Sequence, residues 1–306
     1  MDPKIEELKS RVHEVHDLRS AAAVLSWDQE TYMPPGGASA RADQMTTLRR
    51  LAHQKLVSEE MGQLLEELKP QTAQMPDDSF EASLVRVVWD MFEREVKVPT
   101  ELVAEMSRAA SEGHAVWVEA RRENDFERFR PALEKLVALT IRYAECFKPY
   151  DSVYEPLLDQ SEPGMKTSEL RKIFEALKVE IVPLRKAIAS RAETVDDRVL
   201  HRHYSEDQQW AFGLEVARAF GYDLRRGRQD RSAHPFTIGF SVDDVRITTR
   251  LDPDFLPMAL FGTLHETGHA LYMQGHDPVL GRTPLANGAS SGLHESQSRM
   301  WENLVG

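Results

Sequence analysis

The 306 residues hold one cysteine, Cys146, so no internal disulfide and no thiolate metal site can form, and the chain suits a reducing cytosol. Long apolar runs are equally scarce. No stretch reaches transmembrane length without charges, and the opening MDPKIEELKSRVHEV lacks the apolar centre of a signal peptide. Basic residues are in deficit, with 38 Lys and Arg against 50 Asp and Glu. The resulting net charge of −12 argues against nucleic acid and against an anionic membrane surface as partners. No glycine-rich phosphate loop, no Gly-x-Ser-x-Gly elbow and no internal repeat is present. These absences point to a cytoplasmic globular protein, for which 41% hydrophobic and 29% charged residues are ordinary values.

What is there is mostly helix. From Ile5 to Leu25 apolar residues recur at spacings of three and four, and the pattern breaks at Pro34-Pro35-Gly36-Gly37. A long amphipathic pattern then runs from about Ser39 to Leu68. Further helices are predicted near 78–96, 100–124, 126–147, 168–191 and 205–220, the last opened by a capping box of Ser205 and Gln208. Their charged faces read as solvated surface. Between Gly221 and Arg250 the character changes: HPFTIGFSVDDVRITTR carries β-branched runs broken by Gly239 and Asp243-Asp244, the signature of two or three short strands. Asp252-Pro253-Asp254 predicts a turn and an N-cap, with Pro257 in the first turn of the next helix. The expected fold is mainly α, with one small antiparallel sheet just before that helix.

The helix in question contains LFGTLHETGHALYMQG, in which His265, Glu266 and His269 are the ionisable groups amid an apolar run. Burying imidazoles and a carboxylate without partners costs several kcal/mol, so something must compensate them. Residues four apart on a helix share a face, so the two imidazoles can converge on one tetrahedral ion. Glu266, about 100° around the helix, misses the ion yet can reach water bound to it, as a general base should. The competing reading is a pair of core histidines bonded to backbone carbonyls. A third ligand is expected downstream, in SSGLHESQSRMWENLVG, where Ser290 or Ser291 can cap a new helix. Glu295, 26 residues beyond His269, is the natural choice and Glu302 the alternative on roughly the same face; His294 is either a partner behind the ligands or a surface histidine. His276 is one residue out of register for the metzincin pattern.

HETGHALY followed by HESQSRMWEN resembles the thermostable carboxypeptidase family, zinc metallopeptidases of the carboxypeptidase Taq type. WDQETYMPPGGASARADQ and HPFTIGFSVDDVRITTR are similar to that family as well, so the likeness spans nearly the whole chain. The resemblance implies a helical metallopeptidase fold around a deep groove, with the long helices of residues 1–70 as a lid or dimer region and residues 221–306 holding the sheet and the metal-binding helices. It implies Zn2+, or another divalent ion such as Co2+, on His265, His269 and Glu295, with Glu266 as general base. Release of single residues from peptide C-termini and a homodimer are implied too. The family's later Ile-Arg-x-x-Ala-Asp and Gly-x-x-Gln-Asp-x-His-Trp motifs have no counterpart here, so the domain is expected to be incomplete at its C-terminus and its turnover weak.

Two other functions compete. One is an oligopeptidase or endopeptidase using the same centre without a clamp for the substrate's terminal carboxylate; the other is a non-catalytic helical scaffold with an empty site. Arg246 and Arg250 are the candidate clamp cations, with a purely structural role as the alternative. The pairs His13/His16 and His201/His203 read as solvent-exposed histidines, and Trp27 as either lid lining or packing.

Overall fold

The computed structural model describes residues 2–306. Helix α1 (Pro3–Thr31) is opened by Asp2, whose carboxylate accepts from the Lys4 N–H. It carries Ile5, Leu8, Val12 and Val15 into the first core, shared with α2 (Ala38–Leu56), α3 (Glu59–Thr72) and α4 (Phe80–Glu95). The long amphipathic pattern expected from about Ser39 to Leu68 is therefore carried by two helices. Ser58 turns extended, and its hydroxyl accepts the Met61 N–H at 3.2 Å, an N-cap that restarts the chain. The apolar period survives this break because Leu56, Met61, Leu65 and Leu68 all face one core, where each fully buried side chain contributes about 1.5–3 kcal/mol.

Helices α5 (Thr100–Glu123) and α6 (Phe126–Glu145) form a second core around Val98, Leu102, Ala109 and Leu139. A short α7 (Glu155–Ser161) and then α8 (Thr167–Ala189), which buries none of its residues, lead to α9 (Glu206–Phe220). Ser205 caps α9 by accepting the Gln208 N–H, as its spacing predicts.

The sheet is mixed rather than antiparallel. Central β3 (Asp244–Thr249) pairs antiparallel with β2 (Thr237–Ser241), placing Thr237 opposite Ile247, and parallel with β1 (Gln229–Arg231), placing Gln229 opposite the same residue. The β2–β3 hairpin matches its sequence pattern; the Gln-Asp-Arg strand has no β-branched residue to announce it. Asp230, only 1% exposed, ties β1 down by accepting from the Arg228 guanidinium and from the hydroxyl of Tyr32 just after α1.

Helix α10 (Leu256–Gln274) lies on this sheet and on α9, joined through Ala217, Tyr222, Val245, Ile247 and Ala270. Pro257 occupies its first turn as expected, but Phe255 takes the N-cap position and no side chain caps the helix. The aspartates act one step earlier, the Asp252 carbonyl accepting the Phe255 N–H to close a turn. On its other side α10 meets α11 (Ser291–Met300) and the π-helical turn Trp301–Val305 that continues it. Among the described residues no helix is long and apolar enough to cross a membrane.

Candidate metal centre

Helix α10 presents His265 and His269 on successive turns, with side chains 19% and 15% exposed. Helix α11 faces them. Ser290 starts it by accepting the Leu293 N–H, which sets Glu295 one turn in and opposite the histidines. The two helices come close because Gly268 lacks a side chain: a Cβ there would lie 2.7 Å from Ser298 Cα. Trp301 anchors the far end of α11 against Phe220 of α9, ring centroids 4.5 Å apart.

One donor atom from each of His265, His269 and Glu295 lies within 4.8 Å of the others. Glu295 Oε1 is 3.7 Å from His265 Nε2, and Oε2 is 3.4 Å from His269 Nε2. The longer separation is beyond hydrogen-bond reach. Both are close to the edge of a tetrahedron whose donors stand about 2.0–2.1 Å from a central ion, which puts neighbouring donors about 3.4 Å apart. Among the described residues this is the one group of three histidine, cysteine or acidic side chains so arranged.

The outward ring nitrogens are engaged elsewhere. Glu302 Oε2 lies 2.8 Å from His265 Nδ1, and His294 Nδ1 lies 2.6 Å from His269 Nδ1. Arg299 ties the acids together, donating to Glu295 at 2.9 Å and to Glu302 at 3.0 Å. Glu302, the alternative third ligand in the sequence, thus sits behind His265, and His294 is half-buried against His269 rather than on the surface. Burial, with the His294 and His265 rings nearby, pushes the pKa of His269 down to about 4, so its imidazole is neutral and free to donate a lone pair near pH 7.

Glu266 is 6% exposed and is held from β2, while His265 and Glu295 lie close enough to act on its charge. The Thr237 hydroxyl is 2.7 Å from its Oε2 and 2.8 Å from its backbone carbonyl. Burial raises the carboxyl above the usual carboxylate range, against the opposing pull of the Thr237 bond and of His265. A raised pKa makes the carboxylate a better proton acceptor near neutrality.

The other candidates lie outside this donor set. Arg246 is committed: Asp244 holds it at 2.8 Å, and its guanidinium lies over the rings of Trp27 and Phe240. Trp27, 8% exposed, is packing. Arg250 is exposed and makes no ion pair among the described residues. His201 and His203 are exposed as expected and pair with Asp197 and Asp254, whereas His13 and His16 are half-buried on α1. Thr237 and Gly268 are the two positions at this candidate site that the sequence pattern does not single out. The signal for Gly268 was its place inside HETGH, and Thr237 had none beyond directly following HPF.

The model of the carboxypeptidase Taq (M32) metallopeptidase family matches residues 7–306. Thermostable carboxypeptidase 1 of Thermus thermophilus is 41% identical over 94% of this chain, and the match covers 58% of that protein. Among solved structures, the carboxypeptidase of Pyrococcus furiosus superposes with a TM-score of 0.86 at 33% identity, and the M32 carboxypeptidase of Deinococcus radiodurans R1 with 0.84 at 38%. The chain is covered to 100% and 99% in these two, while it spans 61% and 60% of their lengths. With a histidine pair and a facing glutamate assembled on that shared fold, the chain belongs to the carboxypeptidase Taq (M32) metallopeptidase family.

Proposed function

We propose that this chain carries the metal-binding and general-base machinery of a zinc carboxypeptidase that removes single residues from peptide C-termini. The observation that carries the reading is the convergence of His265, His269 and Glu295 beside the buried Glu266. Two imidazoles and one carboxylate are the donor set of catalytic zinc sites that keep a fourth position open, and Co2+ suits the same donors. When bound, the ion supplies a Lewis acid for the scissile carbonyl and lowers the pKa of water beside it.

The protein's own residues do the rest. Glu302 and His294 fix the ring orientations of His265 and His269 from behind, so that both Nε2 atoms face Glu295. Glu266, its pKa raised by burial, takes a proton from water and returns it to the leaving amine. Thr237 holds that carboxylate in place. With Arg246 committed to Asp244, the exposed Arg250 is the remaining candidate cation for the substrate's terminal carboxylate. The lid or dimer role of residues 1–70, a cytoplasmic setting and a homodimer belong to the same proposal and rest on the family resemblance.

Zinc stoichiometry of the wild type and of H265A and H269A tests the metal reading, together with release of the terminal residue from an N-blocked dipeptide. A wild type that binds no zinc at saturating concentration would sink it in favour of a scaffold with an empty site. Equal cleavage of a C-terminally amidated peptide would instead favour an endopeptidase.

A further inference from the structure

Away from α10 and α11, two adjoining cavities open between α1, α2, α4, α5 and α6, with volumes of about 480 and 290 Å³. They share Arg49, Glu95 and Val103 as walls, and together fall in the size range of small-molecule sites. Three guanidiniums line them: Arg19, Arg49 and Arg94. Two are already matched, Arg94 with Asp159 at 3.2 Å and Arg19 with Glu95 at 3.5 Å. Among the described residues Glu95 is the only carboxylate on the walls, and the buried His53 also leans on it, Nε2 to Oε2 at 3.6 Å.

Arg49 is the unmatched charge. Among the described residues its side-chain hydrogen bond is to a neutral hydroxyl, Nη1 donating to Ser107 Oγ at 3.2 Å, and Ser107 is itself 4% exposed. No ion pair reaches Arg49 among the described residues. Burial alone lowers its pKa, with no acidic neighbour acting against that effect. A half-buried guanidinium with no ion pair is left to take an anion, and its planar fork is shaped to grip a carboxylate or phosphate through two parallel bonds. Tyr143, hydrogen-bonded to Gln160 on the same wall, adds a hydroxyl to the cavity.

We propose that this cavity is a binding site for a small oxyanion, a carboxylate or a phosphate, with Arg49 as the group that grips it. The site shares no residue with the candidate metal centre, so it stands whether or not the peptidase reading holds.

Calorimetric titration at constant ionic strength with inorganic phosphate, and separately with succinate, tests this; whichever binds identifies the anion class. At least one should bind saturably at one site per chain. R49Q should weaken that binding by about tenfold or more, the loss expected when a paired charge is removed from a shielded site. R86Q, which alters an exposed arginine on another face of α4, should leave it unchanged. Phenylglyoxal labelling of the wild type, read by mass spectrometry, gives an independent measure should R49Q fail to fold. The bound anion should slow modification of Arg49 and spare that of Arg250. Absence of saturable binding by both probes, unaltered affinity in a folded R49Q, or unprotected Arg49 would each overturn the proposal.

Discussion

Gly268 of α10 and Ser298 of α11 meet backbone to backbone, so that a Cβ on the glycine would lie 2.7 Å from Ser298 Cα and 2.8 Å from the Gln297 carbonyl oxygen. Neither atom belongs to a flexible side chain that could swing aside. Alanine favours a helix interior by about 1 kcal/mol over glycine, but overpacking costs about 1–3 kcal/mol and would be relieved by pushing α11 outwards. Gly268→Ala should therefore move Glu295 away from the histidines and weaken zinc binding by about tenfold or more, the order expected when a ligand is displaced. A competition titration with a chromophoric chelator reads this, and wild-type affinity in the variant would refute the coupling.

Ligand and base roles should separate on substitution. His265→Ala and His269→Ala should sharply lower zinc occupancy. Glu266→Gln should retain the metal and abolish any release of a C-terminal residue, because the amide cannot accept the proton. A metal-loaded E266Q protein that cleaves peptide as fast as the wild type would rule out the general-base assignment.

The two acids of α11 and its continuation should differ in degree. Glu295→Gln removes a donor that faces both Nε2 atoms and should reduce zinc binding as severely as a histidine substitution. Glu302→Gln leaves the donors intact but weakens the bond that orients His265, for an expected loss of about 10–100-fold. Zinc affinities measured side by side decide it, and a Glu302 variant hit harder than the Glu295 variant would reverse the roles.

Much of this was legible from side-chain pattern. The histidine pair with its glutamate, the capped helix bearing Glu295 and the helices of the first core all follow from spacing, because burial imposes the helical period on the sequence. What was illegible depends on contacts between distant segments. The break at Ser58 hides in a continuous apolar period, since α2 and α3 feed the same core. The β1 strand is polar in sequence and is held by Tyr32, some 200 residues earlier. The partners behind the ring nitrogens, Glu302 and His294, depend on how α11 docks, which no local pattern encodes.

Acid should destabilise the metal-free protein through His269. Its folded pKa of about 4 lies below the usual histidine value of 6.5, so between those pH values the unfolded chain binds a proton that the folded chain refuses. Stability contributed by the neutral ring is present above pH 6.5 and is lost as pH falls towards 4, by at most about 3 kcal/mol. Urea midpoints of the chelator-treated wild type and of His269→Gln, compared at pH 7 and pH 5, test this. The wild type should lose more than the variant, and parallel losses would disprove the assignment.

The three candidate donors are split between two helices, and the chain joining them, Gly275 to Ser290, contains only two single-turn 3-10 segments. His269 and Glu295 stand 26 positions apart, so an ion gripping both would close a ring through this irregular stretch, as a covalent staple would. Cross-linking a loop of that length removes unfolded-chain entropy on the order of 3 kcal/mol. The amides of the connecting loop, none of which need touch the ion, would then exchange with solvent more slowly once it is seated, and the site would record its own occupancy in the mobility of its strap.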